Sequence, residues 1–174
     1  HRRRGAILGP KGSGKTTLVL EAAAILTSRG RSVEYVQLRQ GERRWNRQQL
    51  AKLRRALSLD AIAICDGFEQ LSLFDQWLLS ASARRAQSGL LVTAHERCLL
   101  PALYVATSSL ELTLALVEEL LPGWATVRRE LLVKLYDDCG GNQREILRKL
   151  YDFCDDTTSV SAVLDAAEEG WHQE

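Results

Sequence analysis

The chain has 174 residues, 45% of them hydrophobic and 26% charged, and a formal net charge of +1, which allows one sizeable core with room for a small appended subdomain. So even a balance excludes a protein built as a whole for nucleic acid or anionic membrane surfaces, although it leaves room for a local patch. No uncharged apolar run approaches the roughly 20 residues of a membrane span, and HRRRGAIL at the start lacks the apolar core and cleavage site of a secretory leader, so a soluble, cytoplasmic protein is expected.

In chain order, residues 4–8 (RGAIL) read as a strand that runs into a glycine-rich stretch, and a helix follows from Lys15 to about Ser28, closed by Arg29 and Gly30. SVEYVQL at 32–38 is rich in β-formers, and NRQQLAKLRRAL then sets Leu50, Leu53 and Leu57 at helical spacing. AIAIC at 61–65 is apolar throughout, as befits a strand covered on both faces in a parallel sheet. Phe74, Trp77, Leu78 and Ala81 mark the next helix, and LLVTA at 90–94 and ALYVA at 102–106 are two further strands. Ser108 with Glu111 reads as a capping box for a helix ending at Leu121, Pro122 and Gly123. Two more helices, at about 127–138 and 142–154, have no strand to follow and read as a lid, with a short amphipathic tail from Val160 to Trp171. Five strands with helical crossovers predict an α/β fold, a three-layer parallel sheet. The division expected is a nucleotide-binding core over 1–122 and a helical lid and tail over 123–174.

Cys65, Cys98, Cys139 and Cys154 form no CxxC pair and have no histidine at zinc-binding distance, so they read as reduced thiols rather than as a metal site or disulfides. The chain begins with His1 and contains no methionine, so it reads as a fragment or processed product with something missing before His1.

The glycine-rich stretch carries the chemistry. Gly9, Pro10, Lys11, Gly12, Ser13, Gly14, Lys15 and Thr16, with Thr17 next, fit GxxxxGK[ST] between a strand and a helix. Glycines let successive backbone N–H groups turn inward toward phosphate oxygens, and the helix start adds its partial positive charge. Lys15 reaches the β- and γ-phosphates, and the Thr16 hydroxyl can ligate Mg²⁺. Asp66, at the end of the apolar strand and 50 residues beyond Thr16, is the acidic partner for that ion, acting through water because magnesium keeps several of its waters. A plain surface aspartate is the competing reading.

GPKGSGKT and AIAICDGFEQL resemble the Walker A and Walker B motifs of P-loop NTPases. The strand and helix between them are similar to the additional-strand (ASCE) division, which includes the AAA+ and STAND ATPases, and imply the strand order 5-1-4-3-2. AAA+ proteins place a catalytic glutamate directly after the aspartate, whereas Gly67 stands there in this chain. DGFEQL is similar instead to the STAND and NACHT pattern, which implies Glu69 as the base; a helix-start carboxylate is the alternative. Thr93, at the end of the fourth strand, and His95, just after it, stand where the resemblance implies a polar sensor of the γ-phosphate, with His95 in place of an arginine. A plain strand end is the other reading. GGNQREIL at 140–147 resembles the second sensor of AAA+ proteins and implies that Arg144 reaches the phosphates from the lid, against a surface arginine on a capped helix.

Adenine is expected over guanine, because no lysine is followed two residues later by aspartate, and the absence of LSGGQ excludes transporter-type ATPases. Residues 39–55 hold seven basic residues and one acidic with Trp45 among them, a pattern for nucleic acid or for a solvated helix that packs on the sheet through Leu50, Leu53 and Leu57. Arg97 stands where AAA+ rings draw an arginine finger, so an oligomer and a protein partner are expected readings of the resemblance. The function expected is a Mg²⁺-dependent ATPase that turns ATP binding or hydrolysis into conformational change, with ATP and ADP as ligands. A nucleotide-binding switch with little hydrolysis and a P-loop small-molecule kinase are the alternatives.

Overall fold

In the computed structural model the chain is described over residues 3–39, 41, 45–58 and 61–156. The expected tail at 160–171 and part of the basic stretch, residues 40 and 42–44, lie outside the described residues.

Five strands form one wholly parallel sheet: β1 (Arg4–Leu8), β2 (Val33–Gln37), β3 (Ile62–Asp66), β4 (Gly89–Ala94) and β5 (Ala102–Val105), in the order β2-β3-β4-β1-β5. Read from the other edge this is the 5-1-4-3-2 order that the resemblance implied. β1, β3 and β4 are the interior strands, and their apolar residues are largely buried because each strand is covered above and below.

The helices of this part are α1 (Lys15–Ser28), α2 (Arg47–Ser58) and α3 (Leu73–Arg85). The strands' period-2 alternation sends Val33, Tyr35, Ile62, Ile64 and Leu91 to the side where Val19 of α1 is buried. Val36, Ala63, Cys65, Leu90 and Val92 face the other way, onto Leu53 and Ala56 of α2 and Leu79 and Ala83 of α3. Helices thus lie on both faces, which is the expected three-layer α/β arrangement.

Two local details depart from the sequence pattern. Phe74, Trp77 and Leu78 form an exposed face of α3, whereas Gln76, Leu79 and Ala83 are its buried residues. Gln76 can be buried because its Nε2 donates to the Leu71 carbonyl at 3.1 Å. The edge strand β5 is exposed along its length, with Leu103, Tyr104 and Val105 each more than half accessible.

Contacts divide the chain into two compact units, the sheet with its helices up to Ala106 and a helical unit from Thr107. The second unit contains α4 (Leu110–Leu120), α5 (Trp124–Val127), α6 (Arg129–Asp138) and α7 (Gln143–Asp156). Its own core is Val117, Trp124, Ala125, Leu132, Ile146 and Leu150. The cap of α4 differs from the expected box: Ser109 accepts from the Leu112 N–H at 3.1 Å. Ser108, one residue earlier, accepts instead from Gln143 Nε2 at 2.9 Å. Gln143 also donates to Thr113 Oγ1 at 2.7 Å, so a buried polar network joins the start of α7 to α4.

Candidate functional site

β1 ends at Leu8 and the chain enters the loop 9–14, where positive φ at Gly12 and Gly14 curls the backbone into the first turn of α1. Gly14, at φ +82°, is the N-cap and has no side chain to cap the helix. The N–H groups of Lys15, Thr16 and Thr17, as first-turn residues, have no partner inside the helix, so they stay available to an anion. Lys15 is buried, and its Nζ donates to the carbonyls of Gly9 and Pro10, both at 2.7 Å. The loop therefore holds its own cation at its centre through groups that a phosphate can replace. Ser13 Oγ is buried there with no hydrogen-bond partner among the described residues, a donor and acceptor left open in the cradle. Lys11 and Thr17 are exposed beside it.

Across from the loop stands Asp66, the last residue of β3 and only 5% exposed. A buried carboxylate needs donors, and it has four. Thr16 Oγ1 donates to Oδ2 at 2.9 Å, Tyr35 Oη at 3.0 Å and Gln37 Nε2 at 3.3 Å, while Thr93 donates to Oδ1. Thr93 in turn accepts the Gly67 N–H at 2.9 Å, which ties the ends of β3 and β4 together. Burial, and then the Asp66 charge beside it, push the Tyr35 phenol above its ordinary pKa range. The two residues expected to hold magnesium, Thr16 and Asp66, are thus already in contact, and Thr93 faces the aspartate.

Directly after Asp66 the backbone turns left-handed at Gly67 and enters a 3₁₀ turn, Phe68–Gln70, anchored by the fully buried Phe68. Glu69 lies on that turn. Its Oε1 is 3.5 Å from His95 Nε2, and its Oε2 is buried without a partner among the described residues. His95 is exposed just beyond β4. Arg97 is also exposed, in the loop before β5. Arg144 belongs to the helical unit, exposed as the second residue of α7. Trp45 of the basic stretch is half-buried and packs against the core, and Arg55 is 3.1 Å from Glu34.

Sequence reasoning missed Tyr35 and Gln37. The signal was present: in VEYVQ the two share a face by alternation, and β2 lies beside β3 in the implied order, so Gln37 pairs with Asp66 in register. No group of three or more metal-ligating side chains occurs among the described residues. One carboxylate with one hydroxyl suits an ion like magnesium, which takes few protein ligands and completes its shell with water and phosphate oxygens. The open Ser13 Oγ, a buried lysine and the first-turn amides fit a phosphate chain. Among the described residues no helix is long and apolar enough to cross a membrane.

A family profile described as AAA domain (dynein-related subfamily) matches residues 6–120, from the first strand through the end of α4. A search of curated proteins found no match to this chain. With residues 6–120, more than half of the chain, matched and with the five parallel strands in the order found, the chain belongs to the AAA domain family of P-loop NTPases, in its dynein-related subfamily.

Proposed function

We propose that the chain is a Mg²⁺-dependent ATPase that couples ATP binding or hydrolysis to a conformational change. The observation that carries this reading is the pair of carboxylates at the end of β3 and on the turn after it: Asp66, already joined to Thr16, and Glu69, with one oxygen buried and unsatisfied. Lys15 exchanges the Gly9 and Pro10 carbonyls for β- and γ-phosphate oxygens, and the amides from Gly12 to Thr17 enclose the chain of phosphates. Thr16 and Asp66 would hold the magnesium ion, Asp66 through water, and the bound ion would offset charge on the phosphates. Glu69 orients the attacking water and accepts its proton at the carboxylate, and the DGFEQL spacing supports a STAND-like placement of that base. His95 Nε2, 3.5 Å from Oε1, orients the Glu69 carboxylate. Arg144 reports nucleotide state to the helical lid, 123–174, while 1–122 binds the nucleotide. The site lies in a cytoplasmic protein in this reading.

Phosphate release by the wild type, Glu69→Gln and Lys15→Ala tests it. Glu69→Gln is expected to lose at least about 100-fold in turnover, as for a general base, while still binding ATP; Lys15→Ala is expected to lose binding. A second reading, a nucleotide-binding switch, is favoured by Gly67 in the place of the usual glutamate. Equal background release by wild type and Glu69→Gln, both still binding ATP, would establish that switch and sink the ATPase. Release of ADP only when an acceptor is added would establish a kinase.

A further inference from the structure

We propose that Tyr35 is a positioning residue for the magnesium site, its phenol on the edge strand β2 holding the Asp66 carboxylate in the orientation that Thr16 meets. The inference rests on the reading of Asp66 as the acidic residue that holds the ion. An ionised carboxylate oxygen has about two lone-pair sites, yet Asp66 Oδ2 receives three donors, Thr16 at 2.9 Å, Tyr35 at 3.0 Å and Gln37 at 3.3 Å. Oδ1 accepts from Thr93 and keeps a second lone-pair site. A metal-bound water that donates to Oδ2 would have to displace one of those three donors. Gln37 is the donor to give way, being exposed and the most distant.

Tyr35 cannot give way so readily. Its ring packs in the cluster of Ile7, Val19 and Ile64 on the α1 side of the sheet, which fixes the direction of its hydroxyl. It is also set by register: Tyr35 pairs with Ile64, two residues before Asp66, so its reach along the strand ends at the carboxylate. A tyrosine needed only to fill the cluster could be a phenylalanine. The oxygen has one use that the packing does not explain, which is to hold Oδ2 while Thr16 turns its lone pairs toward the ion. Groups that orient a metal-holding residue contribute to metal affinity without touching the metal.

The test separates metal from nucleotide. The affinity of a fluorescent, non-hydrolysable ATP analogue is measured with EDTA and with saturating Mg²⁺, and the ratio of the two affinities is the magnesium enhancement. Tyr35→Phe is expected to bind the analogue in EDTA within about twofold of wild type, with its magnesium enhancement reduced about tenfold, at the lower end of the range for residues that orient metal ligands. Gln37→Leu is expected to keep the enhancement within about twofold, and Tyr35→p-aminophenylalanine, which returns a donor of the same shape, is expected to restore it. An enhancement unchanged in Tyr35→Phe but lost in Asp66→Asn overturns this inference and leaves the reading of Asp66 standing. An enhancement unchanged in both overturns the two together. Equal weakening of Tyr35→Phe in EDTA and Mg²⁺, or no rescue by p-aminophenylalanine, assigns Tyr35 to packing and also overturns the proposal.

Discussion

At Gly67 the backbone has φ of +83°, and a β-carbon built there would lie 2.7 Å from the Leu38 carbonyl oxygen. Both facts disfavour a side chain there, so a glutamate directly after Asp66 would strain the backbone, and the next carboxylate along the chain is Glu69 on the following turn. Gly67→Ala is expected to destabilise the fold by about 1–3 kcal/mol, read from urea melts, and Gly67→Glu is expected to lose stability without raising phosphate release. Its neighbour Cys65 is fully buried, and burial first, then the Asp66 and Glu69 carboxylates, push its thiol well above the ordinary range. Iodoacetamide at neutral pH is therefore expected to leave Cys65 unmodified in the folded protein and to modify it in urea, as peptide mass spectrometry would show. Alkylation of Cys65 at the same rate in both states would contradict its burial.

Among the elements, α3 shows how an apolar pattern can point the wrong way. Leu73, Phe74, Trp77 and Leu78 lie outward, with Phe74 and Trp77 ring centroids 6.2 Å apart, while the inward face is made by Gln76, Leu79 and Ala83. The 3₁₀ turn before it contributes the large buried ring, Phe68. Phe68→Ala is expected to cost about 3–5 kcal/mol by loss of burial and a residual cavity, whereas Trp77→Ala is expected to stay within about 0.5 kcal/mol, as for a surface substitution. Chemical denaturation of the two variants checks the contrast; a loss of several kcal/mol for Trp77→Ala would mean that its face is covered. At α4 the choice between Ser108 and Ser109 as cap was made by Gln143, which takes Ser108 into the buried network and leaves Ser109 to the helix end.

For the molecule as a whole, the parallel sheet matters because it brings the ends of β1, β3 and β4 to one edge, where the loop, Asp66 and Thr93 meet. A ligand that binds only this folded arrangement stabilises it by mass action, about 2.7 kcal/mol at 100 times its dissociation constant. Thermal melts with Mg²⁺ and ATP are expected to show that shift for the wild type and little or none for Lys15→Ala. An equal shift in both would separate nucleotide binding from the 9–16 loop.

The sequence by itself determined the five strands, their order through the family resemblance, the glycine-rich loop between β1 and α1 and the place of Asp66 at the end of β3. These rest on local patterns: apolar or β-rich runs between turn signals, and a glycine pattern between strand and helix that has few other uses. It could not show that Tyr35 and Gln37 reach Asp66, that Trp45 is taken up by the core, or which face of α3 is buried. Nor could it show why Gly67 is glycine, because the obstacle is the Leu38 carbonyl, 29 positions away along the chain. Those outcomes depend on which strands lie side by side and on what space is left between them, and only the tertiary structure decides that.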